Sequence, residues 1–259
     1  MLAQQVTREF MPWSAFALER GRTTGVCWQL MAEEKPSWLR LRVEDGLRRG
    51  LTQAYETVKV DPQKFLLQLR TGYGLPISTY DGVFSVAQEH LDLVAVDVIR
   101  SGMKVAAVEG AGFGFGGLLT IVPDLSILAG ITIRTIQKLS LIYGFQFATD
   151  TEVADLWVAA ASAAGVDISR ELLEKEVVNR FVPRVIQRVA VQASSDVVER
   201  WAGRLIPVLS SAIGATLNYY FVRTWGRRAM THFRQKHDAR RANLSLPAPV
   251  PFGELPAGR

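Results

Sequence analysis

Apolar residues recur at spacings of three and four in segment after segment of this chain, and nothing alternates in polarity over a full strand length. That periodicity limits the fold more than any composition could. After Ser37, a cap candidate, Leu39, Val43, Leu47, Leu51, Ala54 and Val58 make the stripe of a helix over about 38–58. Asp61-Pro62 starts a second helix, because aspartate accepts from free first-turn amides and proline loses no hydrogen bond there. It carries "QKFLLQLR" and stops at "TGYGLP". A third is read from Asp81 to Val108, with Phe84, Ala87, Leu91, Val94, Val98, Val105 and Val108 as its stripe and Gly102 as a kink or break. Pro123-Asp124 starts a fourth, which carries Leu125, Leu128, Ile131, Thr132, Ile136, Leu139 and Ile142 to an end at Gly144. Further helices are read at 150–164, 168–192, 195–206 and 208–238, and only the short run "GVFSV" at 82–86 is ambiguous.

The expected fold is therefore all-α: a single multi-helix globular domain over 37–241 with a glycine-rich helix crossing and no substantial sheet. Residues 1–36 form a weakly patterned N-terminal extension, and the tail 242–259 is too proline-rich to pack. The single cysteine, Cys27, excludes an internal disulfide and the common multi-cysteine zinc patterns, which fits a reducing compartment. The N-terminus lacks the apolar core of a secretory signal, so the expected location is cytoplasmic.

Two stretches approach the length of a membrane span. Residues 205–222 hold 18 uncharged residues, roughly 27 Å as a helix, but include Pro207, Ser210, Ser211 and Asn218. Residues 110–133 are interrupted by Asp124, which costs about 2.5–3.5 kcal/mol at mid-bilayer. Neither is read as a span.

Five glycines, Gly110, Gly112, Gly114, Gly116 and Gly117, fall within eight positions. Gly112, Gly114 and Gly117 spell G-x-G-x-x-G, yet a dinucleotide site needs a preceding strand and an acid about 20 positions on. Here "IRSGMKVAAVE" reads as helix and position 137 is a glutamine. The four-residue spacings Gly110–Gly114 and Gly112–Gly116 instead put small residues on shared helix faces, where backbones approach closely. The tract reads as a tight crossing between core helices or as a membrane-inserting hairpin with "FGFGGLL" at its tip. Asp124 reads as a helix N-cap or as a buried acid facing a ligand.

The run "VEGAGFGFGGLLTIVPDLSILAGITIRTIQKLSLIYGF", followed by "IGATLNYYFVRTWGRRAMTHF", resembles the EcsC protein family over roughly residues 40–238. The positions that match its motifs are Gly110, Gly112, Gly114, Gly117, Asp124, Tyr143, Gly144, Gly214 and Asn218. The resemblance implies a helical protein and supplies no catalytic residues to carry over. The family's name comes from a gene beside an ABC-transporter pair, which implies a transporter subunit as a partner.

The catalytic inventory is thin. There is no G-x-S-x-G and no H-E-x-x-H. His232 and His237 are five apart, a poor helical ligand spacing, and Cys27 has no basic relay nearby. His90 shares a helix face with Asp97, and a hydrolase or transferase reading would need His90 and Asp124 to converge within hydrogen-bond reach. No metal or cofactor is expected.

Charge is concentrated. The net charge is +5, and between Arg223 and Arg241 lie seven basic residues and one acid. Arg223, Arg227, Arg228, Arg234 and Lys236 follow directly on the apolar 205–222 run, with Tyr219, Tyr220, Phe221, Trp225 and Phe233 interleaved. Such a segment suits an anionic membrane surface or a solvated helix face. No nucleic-acid reading motif accompanies it, so nucleic acid is not an expected partner. The leading expectation is a non-enzymatic protein, peripheral on the inner face of a membrane, whose small faces at 110–117 and at Gly214 to Asn218 pack or open around lipid or an apolar ligand. The alternative is a soluble helical adaptor that binds a protein partner such as an ABC-transporter subunit.

Overall fold

Asp61 and Pro62 begin a helix for the reason their chemistry predicts. The Asp61 carboxylate accepts from the Gln63 and Lys64 amides at 2.9 and 3.2 Å, a cap that contributes about 1 kcal/mol. The structure, a computed structural model, describes residues 37–113, 121–168, 178–202 and 210–244. Its elements are α1 (Ser37–Thr57), α2 (Pro62–Thr71), a 3-10 turn (Tyr80–Ser85), α3 (Gln88–Phe113), α4 (Ile121–Ile142), α5 (Asp150–Ala163), α6 (Val178–Ala202) and α7 (Ser210–Asn243). No β-strand occurs among the described residues, and the fold is all-α as expected. The described residues from Trp38 onward belong to one compact unit.

Other helix ends follow local rules. Gly144, at φ +87°, ends α4 in a left-handed conformation that a Cβ disfavours. The Gly144 amide donates to Leu141 O at 3.1 Å and the Phe145 amide to Ser140 O at 2.9 Å. Thr149 and Glu152 form a reciprocal capping box at the start of α5. Gly165, at φ +79°, closes α5 as Gly144 closes α4, with its amide on Ser162 O at 3.0 Å.

The α4 stripe read from sequence is the centre of the core: Leu125, Leu128, Thr132, Ile136, Leu139 and Ile142 are all buried. Among the described residues, only its window Leu125–Ile142 is long and apolar enough to cross a membrane, at a mean hydropathy of 1.3. Two-thirds of that window is buried within the fold, as a core helix requires. Gln137, also buried, ties α4 to the α1–α2 connection. It accepts from the Val60 amide at 3.0 Å and donates to Val58 O at 2.8 Å.

Several boundaries differ from the sequence reading. The third helix is split: the 3-10 turn ends at Ser85, and α3 starts at Gln88 and runs unbroken through Gly102 to Phe113. Its late stripe also shifts. Ile99, Met103 and Ala106 are buried, whereas Val105 and Val108 are 48% and 73% exposed, because the 3.6-residue turn carries small residues inward there. α4 begins at Ile121, so Asp124 lies inside its first turn rather than at the cap. The break expected near residue 193 is absent, since α6 is continuous from Val178 to Ala202.

Candidate functional site

α3 and α7 pack antiparallel over most of their length. Gln88 donates to Asp238 at 3.3 Å, and Arg234 lies 3.4 Å from Asp92. Further along, a Cβ at Gly226 would stand 3.0 Å from Ile99 Cγ1. At Gly102 three helices meet: a Cβ there would lie 2.7 Å from Thr135 Oγ1 of α4 and 3.3 Å from Val222 Cγ1 of α7. Among the described residues, Gly102 and Gly226 hold this α3–α7 contact close, and Gly50 does the same for α1 on α4, where a Cβ would stand 2.7 Å from Ser126 Cα. Glycine-mediated crossing is also the expectation for 110–117, of which residues 114–117 lie outside the described residues.

The Gly102 junction divides the pair into two unlike ends. On one side lie α3 from Val105 to Phe113, α4 from Ile121 to Ile133 and α7 from Ser210 to Phe221. The only charged side-chain types there are Glu109 and Asp124. Val105, Val108 and Tyr220 are exposed on this side. The described parts of the two longest uncharged runs in the sequence, 110–123 and 205–222, are thus brought to one end of the bundle by antiparallel pairing.

Within about one and a half turns of the junction sits a belt of cations. Arg100 and Lys104 of α3, Arg134 of α4 and Arg227 of α7 are exposed, and Arg223 of α7 is half-buried. No acid interrupts α3 from Val98 to Val108, α4 from Leu125 to Ile142, or α7 from Ser210 to His237. An apolar end rimmed by cations with flexible stems can bury aliphatic surface while the charges stay in a polar layer.

Past the belt, the opposite end is a polar network. Tyr143 donates to Asp92 Oδ1 at 2.6 Å, and burial, then Asp92, push its pKa up. Asp92 also pairs with Arg234. His237 is 1% exposed, with Nδ1 3.0 Å from Tyr143 O and its ring stacked on Phe84 at 4.9 Å. Burial holds its pKa below the ordinary histidine value of 6.5. Sequence reading missed His237 as a core residue. Extending the buried α7 register through Val222, Trp225, Ala229 and Phe233 by one more turn would have found it.

The expected site residues distribute unevenly over this frame. Gly110 is buried on α3, and Gly112 lies in the same helix. Gly114, Gly116 and Gly117 fall outside the described residues. Asp124 is in the first turn of α4, Gly214 in the second turn of α7, and Asn218 is buried. The five basic candidates divide. Arg223 and Arg227 belong to the belt. Arg228 donates to Ala163 O at 3.2 Å, capping α5. Arg234 holds Asp92, and Lys236 pairs with Asp155 at 2.6 Å and lies over the Phe145 ring at 4.4 Å.

The His90–Asp124 pairing does not form. His90 lies 12 residues from Gly102 toward the polar end, and Asp124 lies 11 from Thr135 toward the other. That separates their backbones by on the order of 30 Å. Asp97 instead accepts from Tyr73 at 3.0 Å. Among the described residues no three His, Cys, Asp or Glu side chains group as metal ligands. Cavities of about 650 and 660 Å³ lie beside Tyr55 and Trp157 and beside Asp155 and His232, neither lined by the expected small-residue faces.

The family model described as the EcsC protein family matches residues 85–237, more than half of the chain. Protein EcsC of Bacillus subtilis (strain 168) is 27% identical over 192 residues, which cover 73% of this chain and 81% of that protein. No solved structure matches significantly.

Proposed function

We propose, from the premise that this chain belongs to the EcsC protein family, that it is a non-enzymatic helical protein attached peripherally to a membrane by the apolar end of its bundle. The observation that carries this reading is the belt: Arg100, Lys104, Arg134, Arg223 and Arg227 within about one and a half turns of the Gly102 junction, next to the end that carries exposed Val105, Val108 and Tyr220. Cations near an anionic leaflet contribute about 1 kcal/mol each, so five give on the order of 5 kcal/mol at low salt. Full burial of a valine contributes about 1.5–3 kcal/mol, so the apolar term is of similar size. Stable attachment needs both, as it does for lipidated proteins that combine one acyl chain with a polybasic patch. The cytoplasmic leaflet, with its anionic lipids, is the surface this charge pattern fits.

Liposome flotation of the full chain tests the reading. Binding to anionic vesicles at low salt, weakened at high salt and absent on neutral vesicles, is the expected result, because raising salt to 1 M shortens screening to about 3 Å. Absence of flotation under all conditions would remove the membrane and leave the protein-partner reading in its place.

A further inference from the structure

α7 is 34 residues long, and its last ten described helical residues, Arg234 to Asn243, are held differently from the rest. In that stem His237 is the one buried side chain. Its polar contacts to the rest of the bundle include three that are exposed or half-exposed: Arg234 to Asp92, Lys236 to Asp155 and Gln88 to Asp238. Pairs of this kind contribute about 0–1 kcal/mol each. The segment before it is anchored by Val222, Trp225, Ala229 and Phe233, all buried.

The hydrogen-bond geometry fixes the state of the imidazole. Tyr143 follows directly on the last residue of α4, where carbonyls lack helical donors. A carbonyl only accepts, so Nδ1 carries the hydrogen. In the neutral ring Nε2 is then a bare lone pair, and it is buried with no partner among the described residues. Adding a proton would place a cationic donor there with no acceptor. The surrounding groups do not supply one. Asp92 of α3 is committed to Tyr143 and Arg234, and Asp238 accepts from Gln88. The 3-10 turn presents the apolar face of Phe84. Burial is the largest influence against the charged ring; the Tyr143 carbonyl, Asp238 and Asp92 favour it and Arg241 opposes it, and burial prevails.

We propose that His237 is a proton-operated latch, whose protonation frees the α7 stem from α3 and the end of α4 while the rest of the bundle stays folded. The inference is independent of which surface the other end of the bundle meets. The sign follows from the lowered pKa of the closed state. An opened stem takes up its proton near the ordinary value of 6.5, so closure is fully stable above that pH and weakens as pH falls below it. Opening releases Arg234 and Lys236 from their carboxylates and leaves, with exposed Arg240, a basic stem available to an anionic partner.

Hydrogen exchange of the full chain at pH 5.5 and 7.5, corrected for intrinsic rates, reads the latch directly. Between these pH values the opening equilibrium at residues 234–243 should rise about two- to tenfold, while the protection of α6 stays unchanged. H237Q, which keeps a donor but cannot titrate, should flatten the response, and H232Q should retain it. A change below twofold in the natural protein, or an undiminished response in H237Q, would overturn the proposal. If H237Q leaves the stem open at every pH, the imidazole titration of His237 in the natural protein decides. An ionisation below 6.5 supports the latch, and one at or above it overturns the latch.

Discussion

Leu93 and Val108 lie on the same helix and are similarly exposed, at 68% and 73%, yet they occupy opposite halves of the molecule. Leu93 adjoins Asp92, whose carboxylate binds Tyr143 and Arg234. An isolated aliphatic there is ordinary protein surface. Val108 sits beyond a rim of five cations, on a side whose sequence carries only two acids. At the Leu93 end, charge is consumed in joining helices to one another. Next to the Val108 end, Lys104 and Arg227 are exposed, and neither makes an ion pair among the described residues. One end accounts for cohesion and the other for what the surface is suited to meet.

Substitutions can separate the two roles. The largest effect should come from the junction that serves both. Gly102→Val would press a branched side chain on Thr135 and Val222 and should lower stability by about 3 kcal/mol, with vesicle binding falling along with it. Neutralising two belt cations, R223Q with R227Q, should leave chemical denaturation unchanged yet weaken binding to anionic vesicles by about 2 kcal/mol, or roughly 30-fold. Tyr143→Phe should do the reverse. It removes the hydrogen bond to Asp92 and should lower stability by about 1.5 kcal/mol without moving vesicle affinity. The smallest and sharpest contrast is V108S against L93S. Each should change stability by less than about 0.5 kcal/mol, and only V108S should weaken binding. Equal losses in both variants would mean that the two ends do not differ as described.

The architecture was legible where local chemistry decides it. The α4 stripe, the Asp61-Pro62 start and the Gly144 stop are all written in short spacings, and each lies where the sequence placed it or within a residue or two. What depends on neighbours was not legible. Gly102 reads as a helix breaker from propensity alone, but the approach of Thr135 and Val222 makes its missing Cβ a packing requirement within an unbroken helix. Val105 and Val108 continue an apolar stripe on paper, whereas the packed face there is made of Met103 and Ala106. The basic segment read as one feature, and tertiary contacts divide it. Arg228, Arg234 and Lys236 are internal fasteners, while Arg223 and Arg227 join cations from α3 and α4 that lie far away in sequence. His237 was hidden for a related reason: a histidine among arginines looks solvated until the register of α7 turns it inward.

The most direct test places one environment-sensitive fluorophore at each of the matched positions. Cys27 is the single cysteine, so labels at V108C and L93C can be made in a C27S background and compared on anionic vesicles at low salt. The account predicts a blue shift and shielding from aqueous quenchers at position 108, with position 93 remaining in water. A label that stays in water at 108, or one that enters the bilayer equally at 93, would contradict it.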